Sequence, residues 1–154
     1  MTSTMRIGAT FAATPETTWA AIEHLETHVV WMADAVAITF ATDQHAGVGT
    51  RFECRTRIGP IRLTDAMSIT HWVPGHALGV DHVGVVRGTG IFTLSWLGDQ
   101  QTRFSWEEQL TFPWWLGGPV GEWVARPLLT RIWRGNLARL KRVVEASQRG
   151  VSTA

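Results

Sequence analysis

Two periods divide the chain. From Thr50 to Phe112, apolar and polar residues alternate in short runs broken by glycine and proline, whereas from Pro119 to Glu145 the apolar residues recur three and four apart. The first is the period of strands with one covered face, the second that of a helix with one apolar side. That helical side comprises Val124, Leu128, Leu129, Ile132, Trp133, Leu137, Leu140 and Val144, with Arg126, Arg131, Arg134, Arg139, Lys141 and Arg142 between them. Pro119 suits a first helical turn. Pro127 lies inside the pattern, where it removes a donor and crowds the preceding turn, which predicts a kink or restart. Gly135 weakens a helix and is expected where a neighbouring element approaches closely.

Upstream, Arg6 to Ala12 alternate as a first strand with Ile7, Ala9 and Phe11 inward. Thr14 followed by Pro15 is a capping residue and a first-turn proline, starting a helix through about His24. A second short helix or turn spans Thr27 to Asp34, and Val36, Ile38 and Phe40 mark a second strand. The fold class is therefore α+β: a seven-stranded antiparallel sheet, two short helices between its first and second strands, and a long C-terminal helix to cover it. No repeat or linker interrupts the pattern, so residues 1–154 read as one domain.

The breaks set a register. Gly59-Pro60 pairs Ile58 with Ile61 and Cys54 with Asp65; Pro74-Gly75 pairs Val73 with His76 and Met67 with His82. A turn near Gly84 to Arg87 pairs His82 with Gly90, and a loop at Gly98-Asp99-Gln100 pairs Leu97 with Gln101 and Gly90 with Glu108. Pairing partners must share a face. One face then collects Phe52, Met67, Ile69, Leu78, Phe92, Leu94, Trp96, Phe104, Trp106 and Leu110, and the other is charged.

Composition narrows the classes. The single cysteine, Cys54, excludes an internal disulfide and fits a reducing cytoplasm. The N-terminus lacks a signal-peptide pattern and no apolar run reaches the ~20 residues that span a bilayer, so a soluble cytoplasmic protein without integral membrane contact is expected. A net charge of +1 gives no electrostatic case for nucleic acid. Seven of the fourteen basic residues lie between Arg126 and Arg149, a solvated helix face or a peripheral contact with an anionic surface. A monomer or a homodimer is expected, the latter if the first two strands leave open edges. Nine tryptophans and no tyrosine either fill a core or line a ligand cavity.

Thr14-Pro15 with Trp19, Gly47-Val48-Gly49-Thr50-Arg51-Phe52, Thr102-Arg103-Phe104 through Trp106-Glu107-Glu108, and Asn136-Leu137 before Leu140-Lys141, taken with this element order, resemble the helix-grip fold of the START/SRPBCC superfamily. The resemblance is to its bacterial polyketide cyclase/dehydrase-like branch and covers nearly the whole chain. It implies lipid-transfer-like or hydrophobic-ligand binding, or cyclase/aromatase chemistry, with no universal catalytic residue and no cofactor.

Function must then be argued from the greasy face, where three ionisable residues fall mid-sheet: Asp65, His82 and Glu108. In the row Phe52, Met67, His82, Gly90, Glu108 the histidine and the glutamate stand roughly 10 Å apart at their backbones, two strand spacings. Only a glycine lies between. Either the two side chains lean together across Gly90, or a ligand's polar end fills the gap. An acid beside an imidazole under an apolar roof serves a buried structural pair, ligand orientation, or general acid–base catalysis. Metal binding is not expected, because one inward histidine and scattered carboxylates lack a compact ligand set. Ligand contacts are expected from Asp65, Met67, His82 and Gly90, with Phe92, Trp96, Trp106 and Glu108 further along the sheet. Leu128 and Ile132 are expected to face them from the helix, and Trp115 to gate the mouth. His24, His28, His45 and His76 read as surface or loop residues, and a catalytic role for Cys54 is not expected. The leading expectation is a binder of a small hydrophobic molecule; the rival is an aromatase/cyclase-type enzyme with Glu108 and His82 as proton-transfer groups.

Overall fold

The computed structural model describes residues 3–153. Seven strands form one antiparallel sheet in the order β1-β7-β6-β5-β4-β3-β2. They are β1 (Ser3–Phe11), β2 (Ala35–Phe40), β3 (Arg51–Ile58), β4 (Ile61–Val73), β5 (Ala77–Val83), β6 (Arg87–Gly98) and β7 (Gln101–Thr111). Between β1 and β2 come α1 (Pro15–Ile22), a short 3-10 turn at Leu25–Thr27 and α2 (His28–Trp31); α3 (Gly118–Thr153) closes the chain. Thr14 caps α1 as expected, its hydroxyl accepting from the Thr17 amide at 3.2 Å.

The helix α3 is longer than the apolar pattern implies. It is 36 residues long and runs through Pro127 without restarting. At Gly135 the expected neighbour is missing: an added Cβ would meet only the guanidinium of Arg139, at 3.7 Å. α3 lies against β1 and β7 and is braced by α1 and α2. Its buried face is Glu122, Leu129, Trp133, Asn136, Leu137, Leu140, Val144 and Gln148. Val124 and Leu128, expected on that face, are exposed. Counting back from fully buried Leu140 in steps of three and four reaches Leu137, Trp133 and Leu129, and this stripe is narrower than the list of apolar residues.

Three polar side chains on the same stripe fasten the helix. Glu122 Oε1 accepts from the Phe112 amide at 2.9 Å, Asn136 Oδ1 from the Ala33 amide at 2.9 Å, and Gln148 Oε1 from the Thr14 amide at 3.0 Å. Each ties a backbone N–H of a distant segment to a buried side chain of α3, a bond with a typical net contribution of about 0.5–1.5 kcal/mol. Trp31, Phe11, Phe104, Ile22 and Leu25 are the largest fully buried apolar side chains. Each contributes roughly 1.5–3 kcal/mol relative to exposure.

The register departs from expectation in three places. Val73 pairs with Ala77 rather than His76, and a bulge between Ile69 and His71 absorbs the extra residue. Two opposite one-residue shifts cancel, so Met67 still faces His82. His82 pairs with Gly88, not Gly90; Gly90 sits between Val80 and Glu108. At the far end Gly98, not Leu97, pairs with Gln101, after an irregularity that begins at Trp96.

Candidate functional site

The inward face of β4, β5 and β7 carries a connected polar trio inside an otherwise apolar wall. His82 Nδ1 lies 2.7 Å from Asp65 Oδ2, and its Nε2 lies 3.1 Å from Glu108 Oε2. The indole N–H of Trp106 donates to Glu108 Oε1 at 2.9 Å. All three ionisable side chains are about nine-tenths buried, at 10%, 10% and 9% exposure for His82, Asp65 and Glu108.

Local sequence explains how strands several ångströms apart bring these groups into contact. Glu108 and His82 are separated by β6, and neither is directly opposite the other. Glu108 crosses because Gly90, its partner on β6, has no side chain: an added Cβ would lie 2.5 Å from Glu108 Oε1. On the other flank Asp65 leans over Gly84, where an added Cβ would lie 2.4 Å from Asp65 Oδ1. Each carboxyl group thus occupies the space a β-carbon would take. Of the two sequence alternatives, the first is observed: the side chains lean together over the bare position.

The trio has a fixed charge count. Each of the two nitrogen–oxygen contacts needs one proton between its atoms. A neutral imidazole brings one N–H, and the second contact needs one more proton, whichever atom holds it. Two carboxylates with that single added proton leave one net negative charge. Burial alone would lower the His82 pKa, but the hydrogen bonds and charges of Asp65 and Glu108 outweigh it and push the value up to about 10. The ring is held as an imidazolium at neutral pH.

Two adjoining cavities meet at this trio. The larger, about 170 Å³, is bounded by Met32 and Asp34, by Cys54, Thr56, Leu63, Asp65 and Met67, by Trp106 and Leu110, and by Leu129 and Trp133 of α3. The smaller, about 70 Å³, reaches Leu25, His28, Phe52, Gly90 and Phe92. Met32, Cys54, Met67, His82 and Glu108 border both. An apolar cavity of about 150 Å³ holds a benzene ring, so the larger lobe is the size of one substituted ring. Trp106 and Trp133 stack on its wall with ring centroids 5.3 Å apart.

Of the residues expected to meet a ligand, Asp65, Met67, His82, Gly90, Phe92, Trp106 and Glu108 border these cavities. Four do not. Trp96, still in register opposite buried Thr102, is nevertheless 71% exposed near the end of β6. Trp115, 55% exposed, sits on a 3-10 turn (Trp114–Leu116) that turns both indoles outward, leaving Phe112 at the cavity wall. Leu128 and Ile132 yield to Leu129 and Trp133, one position further round the helix. Ile132 packs against the core without bordering a cavity.

His28 was missed. It is buried, its Nε2 donates to the Ile22 carbonyl at 2.7 Å, and its ring lies 5.0 Å from that of Trp31. Burial pulls its pKa down to about 4, against smaller upward effects of the Ile22 carbonyl and Glu26, so it is neutral. No periodicity marks it, since it begins a one-turn helix after a 3-10 turn. Cys54 borders both lobes as a protonated thiol, pushed up to about 11 chiefly by burial, with the Thr56 hydroxyl opposing and the charges of Asp34 and Asp65 adding to the rise.

A family model described as polyketide cyclase / dehydrase and lipid transport matches residues 3–145. No curated protein matches the chain in sequence. Among solved structures, the Zhui aromatase/cyclase from a Streptomyces species superposes with a TM-score of 0.73 at 13% identity, covering 98% of this chain and 96% of its own. A Thermus thermophilus protein gives 0.72 at 15% identity, with 97% and 99% covered. A START superfamily protein from Mycobacterium smegmatis gives 0.70 at 11% identity, with 96% and 98% covered. At such identities the likeness is one of fold.

Proposed function

We propose, from the premise that this chain belongs to the polyketide cyclase / dehydrase and lipid transport family, that it binds a small hydrophobic molecule between the sheet and α3. The observation that carries this reading is the cavity of about 170 Å³ whose apolar wall is interrupted by one hydrogen-bonded polar trio. Apolar walls provide affinity, and a few fixed polar groups orient the ligand. Met67, Leu129 and the Trp106–Trp133 stack would pack on the ligand's body. Glu108 and His82 would meet its polar end, with Asp65 holding the imidazole in place.

The acid–base alternative is less well supported by the same geometry. A proton-transfer group works best with a pKa near the operating pH, whereas His82 is pushed up to about 10 and both its ring nitrogens already face carboxyl oxygens. Glu108 likewise has each oxygen in a hydrogen bond. Among the described residues no helix is long and apolar enough to cross a membrane.

Calorimetric titration with a one-ring hydrophobe, ethylbenzene, tests the proposal. Saturable binding that disappears in Leu129→Trp, where the new indole fills the cavity, is the expected result. No binding of ethylbenzene to the unmodified protein would overturn it. Turnover of a poly-β-ketone that stops in Glu108→Gln without loss of binding would establish the enzyme instead.

A further inference from the structure

The charge balance of the cavity goes further than its apolar character. Its wall contains three carboxyl side chains, Asp34, Asp65 and Glu108, and one imidazole, with no lysine or arginine. Asp34 Oδ1 is held by the Asn136 amide at 2.7 Å, which leaves the negative charge of the trio without a cationic neighbour on the wall. A net charge under an apolar roof is unfavourable unless a counter-charge meets it. Asp65 Oδ1, itself buried, has no hydrogen-bond partner.

The polar centre also presents the wrong groups for an acidic or carbonyl ligand. Both His82 ring nitrogens and the Trp106 N–H point at carboxyl oxygens, so the donors of the trio are engaged. Lone pairs on Glu108 and Asp65 remain, and these accept. Beside them the stacked indoles of Trp106 and Trp133 offer aromatic faces, which attract cations through their quadrupole.

We infer that the ligand is a small organic cation, a protonated amine on a single-ring apolar body, with its ammonium directed at Glu108 and Asp65. This rests on the hydrophobic-binding reading above and names the class of molecule that satisfies it. The ammonium neutralises the trio, and its N–H groups supply the donors that the carboxyl oxygens lack. The body fills the larger lobe against Leu129, Trp133 and Met67.

A matched series with one ring and one short chain separates the two readings: 2-phenylethylamine, 2-phenylethanol, ethylbenzene and 3-phenylpropanoate, titrated calorimetrically at pH 7. The amine is expected to bind roughly tenfold or more tightly than the alcohol, the gain of a charge-assisted over a neutral hydrogen bond, with the carboxylate weakest. Glu108→Gln, titrated with the whole series, should remove most of the amine's advantage over the alcohol and over ethylbenzene. Asp65→Asn provides the same comparison should Glu108→Gln fail to fold. If ethylbenzene and the alcohol bind as tightly as the amine, the cation is overturned and the hydrophobic site stands. Tightest binding by the carboxylate also overturns the cation. If no member of the series binds, both readings fall.

Discussion

His82 and His28 are buried in one core, both near the smaller cavity, and are driven in opposite directions. His82 lies between two carboxyl groups and holds its proton to about pH 10; His28 meets one backbone carbonyl and an indole and stays neutral down to about pH 4. Burial acts on both in the same sense, against the charged form. Partners decide the outcome. One ring becomes the centre of a charged cluster bordering a cavity, and the other becomes a piece of core that happens to contain nitrogen. A histidine on an apolar face is therefore no sign of chemistry until the groups reaching it from other strands are known.

The contrast is broken most severely by removing a carboxyl group. Glu108→Leu leaves the imidazolium with one partner and the Trp106 N–H with none, and the expected loss is about 3–5 kcal/mol in urea unfolding, the range for breaking a buried ion pair. His28→Leu deletes a neutral hydrogen bond and leaves the Ile22 carbonyl unpaired, so about 1–3 kcal/mol is expected in the same measurement. A cost for His28→Leu equal to that of Glu108→Leu would show that the two rings are held alike.

Stability against pH sharpens the comparison, because the two rings generate opposite arms. Between about 6.5 and 10 the folded protein keeps a proton on His82 that the unfolded chain releases, so this contribution, complete below 6.5, is lost as pH rises. Between about 6.5 and 4 the unfolded chain takes up a proton that folded His28 refuses, so stability falls as pH falls. His82→Gln should flatten the alkaline arm and His28→Gln the acidic one through that window. Thermal melts from pH 4 to 10 check both.

Smaller effects fall on the glycine seat and on the surface. Gly90→Ala drives a methyl group into the Glu108 carboxyl, whose displacement gives up its contacts to His82 and Trp106, so a stability loss of about 1–3 kcal/mol, short of that for Glu108→Leu, is expected. The site should change more than the fold does. With Glu108 displaced, the His82 pKa should drop, which an NMR titration of its ring protons would show. Trp96→Ser, on an exposed position, should lie within about 0.5 kcal/mol of the parent.

Much of this arrangement was legible because it depends on alternation. Cys54 lies opposite Asp65 as the Gly59-Pro60 turn implies, whereas Met67 opposite His82 and Gly90 opposite Glu108 hold although the turn pairs they were counted from shift by one residue, because a strand irregularity takes up the difference. The errors lie where something other than period acts. The expected partner of His82, Gly90, lies two residues from its true partner, Gly88, because the length of the β5–β6 turn leaves no clear mark in the sequence. Trp115 is exposed on a 3-10 turn, which does not follow the strand alternation, and Trp96 is exposed near the end of β6 although its register is kept. Asn136 and Gln148 are polar and buried because each answers a backbone N–H from a distant segment, which pattern on one helix does not reveal.

By itself the amino-acid sequence determined the sheet, its covering helix and the inward direction of Asp65, His82 and Glu108, because side-chain direction along a strand follows from a two-residue period. Tertiary structure alone decided that these three touch, that His28 is buried and neutral, and that Leu129 and Trp133 close the cavity. Those outcomes depend on which atoms of remote segments come within about 3 Å of one another, and hydrogen bonding and charge change steeply over that distance.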